Sequence, residues 1–164
     1  MVSDEFQDFS RIHKNLEMKT SDWCDLESHL KPEQYFFETL PSTSKKLIVI
    51  SLGKNFHDAL FLCRKIGGRM VLPNTQTESN ELGSISRRYH KSFGIRFSDV
   101  DREGYWRDFD NGATANFRNW ASGQPSTGSS SYDFAWFSDY DGKMYAASRS
   151  TTYGNVICEL SQES

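Results

Sequence analysis

The chain has 164 residues, of which 25% are charged and 14% aromatic, and a formal net charge of -3. That length fits one domain with a tail, leaves no room for two full-sized domains, and suffices to bury a core. The mild acidic balance argues against nucleic-acid binding: the densest basic run, Arg87, Arg88, His90 and Lys91, is short and reads as a solvated helix end.

Residues 1–30 are polar and of mixed charge, with a candidate short strand at Leu16–Met18; they read as a tail or the end of a preceding module. Met1–Glu5 contain no apolar core of the kind a secretory signal needs, and the longest apolar run, Leu47–Ile50, is strand-sized rather than membrane-sized. Tyr35–Phe37 and Leu47–Ser51 read as two strands separated by a turn at Pro41–Ser44. Phe56, Ala59, Leu60, Cys63 and Ile66 then recur at helical spacing, with Asn55 as N-cap and Gly67-Gly68 as the stop. Met70–Leu72 is expected to be a short buried connection. Thr75 and Glu78 fit a capping box, and Leu82, Ile85 and Tyr89 continue it as a second amphipathic helix.

Past Tyr89 the helical period ends. Phe93–Arg96 reads as a strand, Asp99–Gly104 as an acidic turn, and Tyr105-Trp106 as strand-like. Ala121–Ser131 is small, polar and flexible in composition. Phe134–Phe137 is a strong strand, Asp141-Gly142 a hairpin turn, Lys143–Ala147 its return, and Val156–Leu160 the closing strand. Alternation points one of Trp136 and Phe137 inward. The expected domain spans residues 31–161, with 162–164 as a C-terminal tail.

Three cysteines, Cys24, Cys63 and Cys158, include no Cys-x-x-Cys pair, which excludes a zinc ribbon or thioredoxin-type motif. The odd number suggests one bridge and one leftover thiol, free or paired with another chain or another part of a longer protein.

In this order the segments resemble the C-type lectin-like family over about residues 33–160. Ala59–Gly68 looks like the family's first helix and Thr77–Leu82 like the start of its second. Phe93–Arg96 stands where the family has a Trp-Ile-Gly-Leu strand. Glu103–Trp106 and Phe117–Trp120 fit the segments before its long loop, and Val156–Glu159 its terminal strand. The resemblance implies an α+β fold of two helices flanking small antiparallel sheets with a long irregular loop. It also implies a disulfide between Cys63 and Cys158, an extracellular location (secreted, or an ectodomain), and Trp106 and Trp120 in the core. A loop of that length, once closed, contributes about 4–5 kcal/mol in the chain-entropy model. Such a bridge persists only in an oxidising compartment.

The family's sugar site holds calcium through a Glu-Pro-Asn or Gln-Pro-Asp triplet, a downstream glutamate and an Asn-Asp pair after a tryptophan. Here the triplet is Gln124-Pro125-Ser126, the glutamate position is Tyr132, and Met144, Tyr145 and Ala146 replace tryptophan, asparagine and aspartate. Calcium needs roughly six to eight oxygen ligands, several of them anionic, and no carboxylate stands at these positions. The resemblance therefore implies a module without the family's loop calcium. The long-loop disulfide is missing too, its first cysteine corresponding to Phe134.

Asp99, Glu103 and Asp133 match the family's auxiliary calcium ligands. They suit weak calcium binding, although a solvated acidic turn is the preferred reading. No resident cofactor is expected.

The expected function is non-enzymatic recognition of a glycan or an extracellular protein through the long-loop face, with Gln124, Ser126, Tyr132, Tyr140 and Tyr145 as candidate ligand contacts. A degenerate calcium-dependent lectin and a structural module of a larger protein are the alternatives. Catalysis is excluded: a cysteine hydrolase needs a histidine beside its thiolate, and His57 lies on the opposite side of the helix from Cys63. Cys24 is a candidate for an intermolecular disulfide, and no nucleic acid or membrane span is expected.

Overall fold

The computed structural model describes residues 34–114, 117–126 and 131–161. Leu16–Met18, Cys24 and the tail at 162–164 lie outside the described residues.

Among the described residues, two four-stranded antiparallel sheets and two helices make up the fold. The first sheet contains β1 (Tyr35–Leu40), β2 (Lys45–Ile50), β3 (Gly68–Met70) and β8 (Val156–Leu160), in the order β1-β2-β8-β3. The second contains β4 (Phe93–Ser98), β5 (Arg107–Asp108), β6 (Phe134–Phe137) and β7 (Met144–Ala147), in the order β5-β4-β6-β7. Helices α1 (Phe56–Lys65) and α2 (Gln76–Tyr89) pack beside them.

Local chemistry explains the helices. Asn55 Oδ1 accepts the Asp58 N–H at 2.9 Å, and the apolar stripe Phe56, Ala59, Leu60 and Cys63 is buried. After α1, Gly67 takes a φ of 82°, which a side chain would resist, and turns the chain into β3. The segment expected to be only a buried connection thus begins as a strand, because Gly68, Arg69 and Met70 find partners in Leu160, Glu159 and Cys158 of β8. In α2 the Thr75 hydroxyl accepts the Glu78 N–H at 3.1 Å, while the Glu78 carboxylate is spent on Lys45 Nζ at 2.9 Å.

The disulfide joins Cys63 of α1 to Cys158 of β8, with 5.4 Å between their Cα atoms. Around it lies one core with Ile48, Phe56, Leu60, Met70 and Phe134; a second holds Leu82, Ile85, Phe93, Phe97, Trp106 and Phe137. Phe134, where the family has a cysteine, fills its place by ring packing on Phe56, centroids 4.3 Å apart. Phe137 is fully buried and Trp136 half-buried, as the alternation requires.

The strand expected at Tyr105-Trp106 lies two residues later, at Arg107–Asp108. Trp106 is drawn into the second core against Trp120, at 4.8 Å, and only Arg107 and Asp108 reach register with Ser98 and Phe97. Trp106 is buried, and Trp120 is half-buried at the margin of the same core.

A charged centre was not foreseen. All six residues of β4 are buried, so the Arg96 side chain has no route to water. Its Nε donates to Asp108 at 3.1 Å, and its terminal nitrogen donates to the Met70 carbonyl at 2.6 Å and to Glu159 at 2.9 Å.

Candidate functional site

The long loop leaves the core at Trp120 and runs beside β7. Ala121 N–H donates to the Met144 carbonyl at 2.9 Å, and Met144 N–H donates to the Asn119 carbonyl at 2.8 Å. Gly123 turns the chain with a φ of 81°, and the Gln124-Pro125 peptide is cis.

Gln124 Oε1 then accepts two backbone N–H groups, from Ser126 and from Ala146 of β7, each at 3.0 Å. The oxygen that would face a cation is therefore committed to tying the loop to the sheet. Ser126 offers a neutral hydroxyl, and Tyr132, Tyr145 and Ala146 supply no carboxylate. Gln124 thus ties the long loop to β7 through its side chain.

The candidate contact residues separate along the β6–β7 hairpin. Phe134 pairs with Ala147 and Phe137 with Met144, so Tyr132 stands at one end and Tyr140 at the turn end. Tyr132 is 40% exposed and Tyr140 is 91% exposed. Tyr145 lies between, stacked on Trp136 with ring centroids 4.8 Å apart, and its hydroxyl is bonded to Asp141. Gln124 and Ser126 meet at the Ala146 N–H of β7, whereas the Tyr145 hydroxyl reaches Asp141 in the hairpin turn, beside Tyr140.

The acidic residues converge. Ligand oxygens of Asp99, Glu103 and Asp133 all lie within 4.8 Å of one another. The backbone brings them there: Asp99 N–H donates to the Asp133 carbonyl at 3.2 Å, and the Gly104 N–H holds Asp99 Oδ2 at 2.8 Å. Asp99 is only 3% exposed, and Asp99 Oδ1 and Asp133 Oδ1 are both buried without a hydrogen-bond partner. Buried acceptors facing each other without donors are costly. Burial pushes the Asp133 carboxyl up to about 6, reinforced by the neighbouring Asp99 and Glu103 carboxylates. Three hard oxygen donors converge here, two of them without a partner, and their chemistry fits a divalent cation.

A cleft of about 410 Å³ beside β3 and β8 exposes Lys45 and Arg69. Both cations are already paired, Lys45 with Glu78 and Glu159 and Arg69 with Glu159.

The family model for the lectin C-type domain matches residues 52–160. The chain belongs to the C-type lectin domain family. It therefore carries a C-type lectin carbohydrate-recognition domain, a non-enzymatic recognition module. It is 31% identical over 72 residues to pulmonary surfactant-associated protein D of Sus scrofa, covering 44% of this chain and 19% of that protein. It is 32% identical over 87 residues to C-type lectin domain family 4 member M of Hylobates lar, covering 52% of this chain and 22% of that protein. The matches thus span about a fifth of each relative. In structure it is similar to the mouse scavenger receptor C-type lectin carbohydrate-recognition domain, with a TM-score of 0.67 and 23% identity over 82% of this chain and 98% of that one. Among the described residues no helix is long and apolar enough to cross a membrane.

Proposed function

We propose that this C-type lectin domain recognises carbohydrate outside the cell through its long-loop face, without calcium at the loop site. A calcium ion held by Asp99, Glu103 and Asp133 steadies that face. The observation that carries this reading is the double commitment of Gln124 Oε1 to the Ser126 and Ala146 N–H groups, with no carboxylate beside it to hold a cation. Gln124, Ser126, Tyr132 and Tyr145 then contact ligand directly, and exposed Tyr140 extends the face. The bridge between Cys63 and Cys158 supports the extracellular location.

At the acidic cluster the cation supplies the positive charge that the three carboxylates lack. The chain's own part is to fix the geometry: Gly104 N–H orients Asp99, and the Asp99 N–H ties that loop to Asp133. Both segments flank Tyr132, so order at the cluster is order at the face.

A glycan array run with calcium and again with chelator tests the reading. The expected result is a set of glycans retained under both conditions, weakened but not abolished by chelation. Calorimetry of metal-free protein should show weak calcium binding that Asp133→Asn removes and Gln124→Ala leaves alone. Complete loss of glycan signal in chelator, restored by calcium and abolished by Gln124→Ala, rejects it.

A protein ligand is the second reading, favoured by the exposure of Val100 and Tyr105, each 49%, in the loop that Asp99 ties to Asp133. A blank array under both conditions selects it.

A further inference from the structure

We propose a second saccharide subsite on this domain, in the cleft beside Trp136 formed by the α2–β4 turn, the β6–β7 turn and residues 151–154. It rests on the carbohydrate reading above, but none of the residues lining it is one of the loop contacts. The cleft measures about 400 Å³, within the range of small-ligand sites.

Its apolar wall comes from Trp136 and Tyr153. These rings belong to a run of three: Trp136 stacks on Tyr145 at 4.8 Å and 22°, and on Tyr153 at 6.1 Å and 27°. Packed in this way the rings hold one orientation, so little ordering cost falls on binding. A rigid apolar wall suits the C–H face of a pyranose ring.

The polar rim is fixed as well. Asp139 Oδ1 accepts from Ser92 Oγ at 2.8 Å, and the Asp139 N–H donates back to that oxygen at 3.3 Å. The carboxylate is thereby oriented at the edge of the cleft, as an acceptor with capacity to spare for hydroxyl donors. The exposed Thr152 adds a hydroxyl that both donates and accepts. Tyr153 is 4% exposed, and its hydroxyl has no hydrogen-bond partner. Lys91, also in the wall, donates its Nζ to Ser51 Oγ at 3.2 Å. With that cation engaged, the cleft presents one carboxylate acceptor, the His90 imidazole, hydroxyls and ring surface, a mix of donors and acceptors that matches a saccharide unit.

The test is an NMR titration of the full ¹⁵N-labelled chain with methyl α-mannoside, methyl β-galactoside and N-acetylglucosamine, each with calcium and with chelator. The expected result is saturable shifts of the Trp136 indole and Thr152 amide with at least one probe, alike in both conditions. Asp139→Asn weakens that binding about tenfold and Thr152→Val about threefold, the scale of one charged and one neutral hydrogen bond. Thr152 is exposed, so its variant tests the cleft even if the Asp139 variant folds poorly. Gln124→Ala leaves the cleft binding unchanged. Shifts confined to Gln124–Ser126 and Tyr132, insensitive to both cleft variants, overturn the subsite while leaving carbohydrate recognition standing. Absence of response to all three probes also overturns it, and the array then decides the broader reading separately.

Discussion

Arg96 of β4 and Glu159 of β8 meet at 2.9 Å in the interior, so a single ion pair ties one sheet to the other. Glu159 also accepts from Lys45 at 3.2 Å and the Leu72 N–H at 3.2 Å, and is ion-paired with Arg69 at 3.3 Å. Breaking a buried pair leaves an uncompensated charge and costs about 3–5 kcal/mol. Glu159→Gln is expected to destabilise the domain on that scale in urea unfolding. The double variant Arg96→Met with Glu159→Leu should cost less than the sum of the two single changes, because both charges leave together.

The disulfide spans a sequence separation of 95 residues. Reduction, or paired replacement of Cys63 and Cys158 by alanine, should lower stability by about 4–5 kcal/mol, read as a shift of the denaturant midpoint with and without reductant. An unchanged midpoint would show that the non-covalent contacts between α1 and β8 suffice.

Gly68 has a steric role that no turn requires. A Cβ there would lie 2.4 Å from the Glu159 carbonyl oxygen, inside the β3–β8 pairing. Gly68→Ala should cost about 1–3 kcal/mol, the range for overpacking, and lower Tm with the fold retained.

Acidity and calcium should act on the same carboxylates in opposite directions. Asp133 titrates at about 6 in the folded chain, against about 3.9 for an unperturbed aspartate. Between these values the folded state holds a proton that the unfolded chain lacks. Through this group the metal-free protein therefore gains stability as pH falls through 6 and loses it as pH rises. Calcium competes with that proton, so saturating calcium should raise Tm most at neutral pH and reverse the slope. Thermal melts at neutral and mildly acidic pH, with calcium and with chelator, check this. Asp133→Asn should flatten both dependences.

Much of the framework was legible because it is local. Asn55, Gly67 and the stripe through Cys63 specify α1 within a dozen residues, and the apolar runs of β2, β6 and β8 announce themselves by composition. The acidic cluster was also named, since Asp99, Glu103 and Asp133 sit at matching positions, but their convergence depends on a backbone bond between Asp99 and Asp133 that spacing does not encode. Arg96 was hidden for a similar reason. An arginine in a strand reads as solvent-facing until β5, β8 and Met70 are seen to enclose it. The cleft beside Trp136 draws Ser92, Asp139 and Thr152 from three separate segments, and none carries a signal of its own. Tyr140, grouped with Tyr132 by sequence proximity, stands at the other end of a hairpin because pairing, not chain distance, sets position there.

The closing strand β8 lies inside its sheet, flanked by β2 and β3, rather than on an edge. During synthesis β1, β2 and β3 emerge with a vacant lane between them, and the sulfur partner of Cys63 arrives only when that lane is filled. Maturation of this domain is consequently gated by its closing strand, and a ribosome stalled before Val156 holds a chain that can neither complete its first sheet nor form the Cys63–Cys158 bridge.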